Sequence, residues 1–358
     1  MKNLLSGTLT FLLVLPVYLA VGQVPPGYYD PATGLFGLPL QQALHNIIKN
    51  HEVESYGDLW DDYYDTDRKS NGKVWDIYSD VPGGNPPYEY TFFSDQCGNY
   101  NSEGDCYNRE HSFPQSWFGD GAYPMYSDLY QVYPTDGYVN GKRSNYPYGT
   151  VNNPTWTSMN GCKLGNCTYP GYSQTVFEPI NAYKGDLART YFYMAVRYYS
   201  EDGSWPGSPM VNGSQPKPWA LAMLRAWHHA DPVSEKEINR NNAIYQIQQN
   251  RNPFIDHPEY VEYIWGNVSI AETIDIRDYI SMLNPVKEHI EIALSAEIMN
   301  EHWNYSVVSI SGRSMLSGTF SDVSSFSLDI SEFEQGPYLF ILINPDSGVR
   351  FHSKIIKL

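Results

Sequence analysis

In the stretch from Tyr107 to Gly149 a carboxylate and an imidazole stand side by side, Glu110-His111. An Asn- and Gly-rich segment with two cations closes it, Asn140-Gly141-Lys142-Arg143-Ser144-Asn145. A neutral imidazole can take a proton from water near pH 7, because its ordinary pKa is close to that value. A carboxylate and an Asn carbonyl are hard oxygen ligands of the kind Mg²⁺ accepts in small number while keeping several waters. Base, hard ligands and cations in one stretch point to metal-assisted hydrolysis of a phosphate ester. Each residue also has a plainer reading. A His is more often structural than catalytic, a Glu is more often a surface charge, and Asn-Gly is a turn signal on its own. Arg143 fits a structural salt bridge nearly as well as a phosphate grip.

The elements that must position these residues are read from periodicity. Asp128 to Tyr133 (DLYQVY) alternates and reads as a strand, in which Gln131 faces either the metal or the core. Leu38 to Lys49 reads as a short amphipathic helix. The acidic run Asp58 to Asp67 reads as a solvated turn leading into a strand at Val74 to Tyr78, with another strand at Tyr88 to Phe93. Asp65, Asp67 and Asn71-Gly72 hint at a calcium loop, but no Glu closes the twelve-residue pattern. Val151 to Gln174 reads as irregular. Ala182 to Tyr199 forms a helix with Leu187, Tyr191, Phe192, Ala195 and Tyr198 on one face, and Trp219 to Ala230 and Ser234 to Asn250 form two more. The result is an α+β core: a small two-stranded element carrying the site, wrapped by helices.

Length suggests two domains. Residues 1–22, with Lys2, an apolar run from Leu9 to Val21 and small residues at its end, read as a secretory signal peptide rather than a spanning helix. In an exported chain the close pairs Cys97/Cys106 and Cys162/Cys167 are expected to form two local disulfides; their spacings are not those of a zinc ribbon or finger. The formal net charge of -17 argues against a nucleic-acid binder. Its distribution softens that objection. Residues 26–106 carry four Lys/Arg against fourteen Asp/Glu, whereas residues 184–251 carry eight against six and are expected to supply a basic substrate face.

Taken together, NREHSFPQSWF (Asn108 to Phe118) followed by SDLYQVYPTDGYVNGKRSNYPYG (Ser127 to Gly149) resembles the endonuclease I family of secreted bacterial nucleases, a branch of the His-Me finger (ββα-metal) group. The resemblance continues in FEPINAYKGDLARTYFYMAVRYY (Phe177 to Tyr199) and NRNPFIDHPE (Asn250 to Glu259), and spans about Leu38 to Trp265. It implies a His-Me finger nuclease core in residues 23–270 and a sequence-nonspecific endonuclease acting on DNA, with RNA as a further substrate. His111 is then the general base, Glu110 and Asn140 are the ligands of Mg²⁺ (or Ca²⁺ or Mn²⁺), and Arg143 is the phosphate clamp. Asn145 and Arg109 are supporting residues, and the products carry 5′-phosphate and 3′-hydroxyl ends. Two departures stand out. Tyr130 and Gln131 occupy positions where the family often has His or Asn. No Arg or Lys lies in residues 112–127, where the family carries a phosphate-binding Arg, so that role passes to Arg143 or to a cation near Arg189 and Arg197. His228, His229 and His257 read as structural or surface residues.

After a linker at 271–284 the texture changes to short alternating runs, HIEIAL, YSVVSI, SSFSLDI and PYLFILI, which suggest a small all-β sandwich at 285–358. Asn284-Pro285, the Gly312-Arg313 turn, Gly336-Pro337-Tyr338-Leu339 and the basic end resemble the C-terminal sorting domain of type IX secretion cargo. That resemblance implies the type IX machinery as a partner and a secreted product. A carbohydrate-binding sandwich is the plainer alternative, and with it a secreted glycan- or surface-binding module with a degenerate nuclease site.

Overall fold

The computed structural model describes residues 24–266 and 280–358, apart from 297, 300, 301, 310–312 and 346–349. The expected leader, most of the expected linker and Gly312 lie outside these residues. Helix α1 (Gly37–Ile48) buries the stripe Leu40, Leu44 and Ile48, as its i, i+4 spacing requires. The acidic run is not a turn but a second helix, α2 (Leu59–Thr66), which faces Leu59 and Tyr63 inward and leaves Asp61 and Asp65 exposed. The segment after α2 does not form the expected strand at Val74 to Tyr78. The Asp76 side chain accepts from the backbone N–H of Tyr78 (2.8 Å) and Ser79 (3.2 Å), curling the chain back where an extended strand would have run.

Strand β1 (Tyr107–His111) pairs antiparallel with β2 (Val132–Asp136), and β2 passes directly into α3 (Gly137–Arg143). The second strand therefore begins four residues later than the DLYQVY alternation suggested. Asp128 to Gln131 turns instead, because the buried Asp128 carboxylate gathers the hydroxyls of Tyr193 (2.9 Å) and Tyr198 (2.7 Å) and the Gln248 amide (3.1 Å). Strands β3 (Trp156–Thr157) and β4 (Lys163–Asn166), inside the segment read as irregular, form a small sheet with β5 (Thr175–Glu178), which follows it. Next come α4 (Lys184–Arg197), the hairpin β6 (Val211–Asn212) and β7 (Gln215–Pro216), and α5 (Pro218–Ala230). Helix α6 (Glu235–Gln248) opens with a capping box between Ser234 and Glu237, and α7 (Pro253–Asp256) and α8 (Tyr260–Trp265) complete this part.

Helix α4 is buried on every side, from Gly185 to Arg197, rather than on the one face its apolar spacing marked. Its polar residues survive there because each has a partner. Arg189 makes a two-pronged pair with Glu237 (2.5 and 2.8 Å), and Arg197 donates to His51 (2.8 Å) and Glu201 (3.1 Å). Arg240 on α6 binds Asp67 (2.8 Å) and the carbonyls of Leu129 (2.7 Å) and Val132 (3.1 Å), fixing the entry to β2. Arg251 holds Asp256 at 2.7 Å. The cations expected to form a basic substrate face at 184–251 are thus turned inward. A guanidinium can be buried only beside an anion, and this chain supplies one for each of these four.

The C-terminal part folds as two antiparallel sheets. Strands β8 (Ile280–Met282), β9 (His289–Leu294) and β12 (Ser325–Asp329) form one; β10 (Trp303–Ser309), β11 (Ser314–Phe320), β13 (Gly336–Ile343) and β14 (Arg350–Lys357) form the other. Ile290, Ile292 and Leu294 alternate inward along β9 and share a core with Trp303, Phe340 and Leu342. Strand β8 comes from the stretch read as linker.

Cys97 and Cys106 are bonded, with Cα atoms 5.8 Å apart, but Cys162 and Cys167 are buried free thiols. The extended β4 lies between the latter two, and an extended chain separates residues five apart by about 16 Å, far beyond the ~5.5 Å a disulfide needs. Cys162 instead contacts the Tyr78 carbonyl (3.4 Å), while Cys167 packs with Val151 and Val176. Protein denatured without reductant is therefore expected to react with a thiol reagent at two sites per chain, Cys162 and Cys167. Recovery of no free thiol would show a second bridge.

Candidate active site

Alternation along β1 divides the work of the strand. Asn108 and Glu110 point to the face that α3 covers, while Arg109 and His111 point to the other. On α3, Asn140 and Arg143 are three residues apart and so share a face, which is turned to β1. The Asn140 amide donates to Asn108 Oδ1 (2.7 Å), and Arg143 Nη1 pairs with Glu110 Oε1 (2.9 Å). The Asn140-Gly141 pair is thus helix rather than turn. Asp136 caps α3 by accepting from the Val139 N–H (2.7 Å). Gly141 is required because a Cβ there would meet the Tyr100 hydroxyl at 2.7 Å.

Glu110 is 2% exposed, and its Oε1 also accepts from the Tyr78 hydroxyl (2.7 Å). Burial pushes its carboxyl up to about 7, although Arg143 and the Tyr78 hydroxyl pull the other way. Arg143 is 1% exposed and held through both terminal nitrogens: Nη1 donates to the His111 carbonyl (2.7 Å), Nη2 to the Ser112 carbonyl (2.5 Å), and the guanidinium lies over the Tyr148 ring (4.7 Å), while Nε is buried without a partner. It sits at the floor of the site, gripping protein on every side the contacts define.

His111 Nε2 is 2.9 Å from the Tyr126 carbonyl. A carbonyl only accepts, so Nε2 carries the hydrogen and Nδ1 keeps its lone pair. The ring is stacked by Tyr126 (centroids 5.1 Å, 17°) and Tyr56 (5.5 Å, 20°), and burial pushes its pKa down to about 4. The imidazole is therefore neutral at pH 7. Gln131 is fully buried, the core alternative of the two: its amide donates to the Met125 carbonyl (2.6 Å), bracing the turn whose next carbonyl holds His111. Arg109 lies between the rings of Tyr56 (3.6 Å) and Trp60 (4.4 Å) and donates to the Tyr56 carbonyl.

These groups open into one cleft of about 340 Å³, lined by Arg109, Glu110, His111, Asn140, Arg143 and Asn145 among others. Every site residue expected from the sequence is therefore brought together. Arg189 and Arg197, the alternative clamps, are not: Arg189 is spent on the buried Glu237, and Arg197 on the buried His51 and the exposed Glu201. His228 accepts from Arg189 Nη1 at Nδ1 and donates from Nε2 to the Pro258 carbonyl, and His257 stacks on Tyr260. Sequence reasoning missed Tyr56, Tyr78 and Tyr126, which come from turns with no chemical signature, and ranked Arg109 below Arg143 although Arg109 is the more exposed of the two.

The donor set suits a hard divalent cation. Both protein donors that reach Glu110 go to Oε1, and the Asn140 amide nitrogen is occupied by Asn108, which leaves its carbonyl oxygen for the cleft. Among the described residues no cluster of three or more His, Cys, Asp or Glu side chains forms a metal cage. Two protein oxygens and several waters are what Mg²⁺ commonly takes.

Arg143→Lys keeps the charge but cannot reach a carboxylate and two carbonyls together. The expected loss is about 2 kcal/mol or more, read from the urea midpoint. The loss should shrink when Glu110→Gln is already present, since the two residues share one interaction. Strictly additive losses would show that the pair is not coupled.

Comparison with known proteins gives two family matches. The model described as Endonuclease I matches residues 37–259, and that of the Secretion system C-terminal sorting domain matches residues 284–357. An extracellular ribonuclease of Bacillus amyloliquefaciens is 35% identical over 252 residues, 66% of this chain and 78% of its own. An extracellular ribonuclease of Bacillus subtilis (strain 168) is 33% identical over 253 residues, with the same coverage. Endonuclease-1 of Buchnera aphidicola subsp. Acyrthosiphon pisum (strain APS) is 30% identical over 130 residues, 36% of this chain and 44% of its own.

Proposed function

The chain belongs to the endonuclease I family and is secreted, and from this we propose a Mg²⁺-dependent, sequence-nonspecific endonuclease with a His-Me finger core that hydrolyses phosphodiester bonds of RNA and DNA. The observation that carries the reading is the state of His111: a neutral, stacked imidazole whose Nε2–H is held by Tyr126 while Nδ1 is left free in a cleft shared with Glu110 and Asn140. RNA takes a larger place than the sequence motifs alone suggested, because the relatives aligned over 78% of their length are named ribonucleases.

In this reading His111 Nδ1 accepts the proton of the water that attacks phosphorus, and the Tyr126 carbonyl stabilises the imidazolium through Nε2–H. Glu110 and Asn140 would hold the divalent cation, with Ca²⁺ or Mn²⁺ as alternatives to Mg²⁺. A cation bound there would offset charge building on the phosphoryl oxygens and the departing 3′ oxygen. Arg109, held flat between two rings with its edge in the cleft, takes the phosphate-gripping role. Arg143 keeps Glu110 and the end of β1 in place. The products keep the phosphate on the 5′ side and a free 3′-hydroxyl. The sorting domain directs passage through the type IX machinery, after which it is removed.

Supercoiled plasmid and a single-stranded RNA should both be cut by mature protein with Mg²⁺ and left intact with EDTA. His111→Ala should lower the rate by about 10²–10⁴-fold. Equal cutting by the variant would remove His111 from the chemistry, and cutting unaffected by EDTA would remove the metal.

Apparent Mg²⁺ affinity should depend on pH with a defined sign. Glu110 titrates near about 7, above its ordinary value, so below that pH the cation must displace a proton. Affinity read from Mg²⁺ titrations of cleavage should fall by about tenfold per unit as pH drops below 7, and level off above it. His111, pushed down to about 4, stays neutral through this window and does not contribute. An affinity independent of pH would argue against Glu110 as the ligand.

A further inference from the structure

A second hollow of about 540 Å³ opens beside the cleft, and Ser116 and Asn145 line both. Its other walls include Trp117, Tyr146, Tyr172 and Gln174. No Lys, Arg, Asp or Glu lines it among the described residues, so it offers a phosphate no charge. It offers aromatic surface and neutral hydrogen-bonding groups, which are what a nucleobase binds.

The aromatic wall is built in advance of any ligand. Tyr172 is stacked on Trp219 with centroids 4.7 Å apart and planes within 8°, and the Trp219 indole N–H is tied to the Pro209 carbonyl at 3.1 Å. The turn that brings Tyr172 there depends on Gly171, whose φ is +94° and where a Cβ would meet the Trp219 Cβ at 2.8 Å. Opposite it, the backbone N–H of Gly207 donates to the Trp117 carbonyl (3.1 Å), closing the hollow's floor against the buried Trp117. Tyr146 is 38% exposed, and it comes directly after Asn145 at the boundary with the cleft.

We infer that this hollow is a base-binding subsite for the nucleotide flanking the scissile phosphate, with Tyr146 and Tyr172 as its stacking surfaces and Gln174 as a base-edge partner. The inference rests on the nuclease reading and specifies its substrate class: an unpaired nucleotide, because a base still paired and stacked in a duplex cannot enter. The enzyme therefore favours single-stranded RNA or DNA, and it gains affinity from stacking where its own charge gives it little from phosphates.

The test compares two single-stranded 12-mers with identical phosphates, oligothymidylate and a fully abasic tetrahydrofuran strand, using mature protein with Mg²⁺. Wild type should show a KM for the oligothymidylate about tenfold or more below that for the abasic strand. The double variant Tyr146→Ala/Tyr172→Ala should lose that difference by raising KM on the base-bearing strand alone, while Tyr146→Phe/Tyr172→Phe retains it. Equal KM values for the two strands in wild type, or a double variant that loses rate equally on both, would overturn the subsite and leave the nuclease reading standing. Failure of wild type to cut either strand or a plasmid would overturn both.

Discussion

A carboxylate and a guanidinium are buried against each other between β1 and α3, and the geometry of the site depends on that pair. Removing a charge from water costs several kcal/mol unless another charge and enough hydrogen bonds replace the solvent. Glu110 has Arg143 and the Tyr78 hydroxyl; Arg143 has Glu110, two backbone carbonyls and the face of Tyr148. The two carbonyls belong to His111 and Ser112, so the cation that compensates the proposed ligand also fixes the backbone carrying the proposed base. Only a planar fork with several donors can do both.

The same rule applied across the fold explains how a nuclease can carry a formal charge of -17. Arg189, Arg197, Arg240 and Arg251 are committed to Glu237, Glu201, Asp67 and Asp256, so these cations offset acids of the chain itself rather than facing a substrate. The long-range field then works against a polyanion. Attraction has to be local, from a bound cation, from Arg109, and from contacts with bases that need no charge. An aromatic hollow next to the cleft is a physical answer to that requirement.

Much of this was legible in the sequence, and the failures have identifiable causes. Residues whose chemistry is local were read correctly: helix α1 from its spacing, the alternating strands of the sandwich, and the gathering of Glu110, His111, Asn140 and Arg143 from their motif. What failed depended on partners distant in the chain. The acids of 58–67 look like a solvated turn until Leu59 and Tyr63 find a core to face. The arginines of 184–251 look like a basic surface until Asp67 and Asp256 are placed beside them. Cys162 and Cys167 look like a pair until a strand is drawn between them. Arg143 has the side-chain type of a phosphate clamp, and no local signal reveals that both its terminal nitrogens are held by Glu110 and two backbone carbonyls.

Glu110 and His111 also show why adjacency in sequence is useful to such a site. Alternation along a strand sends neighbouring side chains to opposite faces, so two residues in succession can enter different surroundings. Burial acts on both, yet it favours the neutral form of each: it raises the carboxyl and lowers the imidazole. For His111 the result is directly what a base requires, a free lone pair at neutral pH. For Glu110 the result is a carboxyl balanced between its two forms, which a cation can tip to the charged one by displacing a proton. One short strand, covered by a helix on one face and by tyrosine rings on the other, thus places the proposed base, with its lone pair free, beside the proposed ligand, whose charged form a cation would favour.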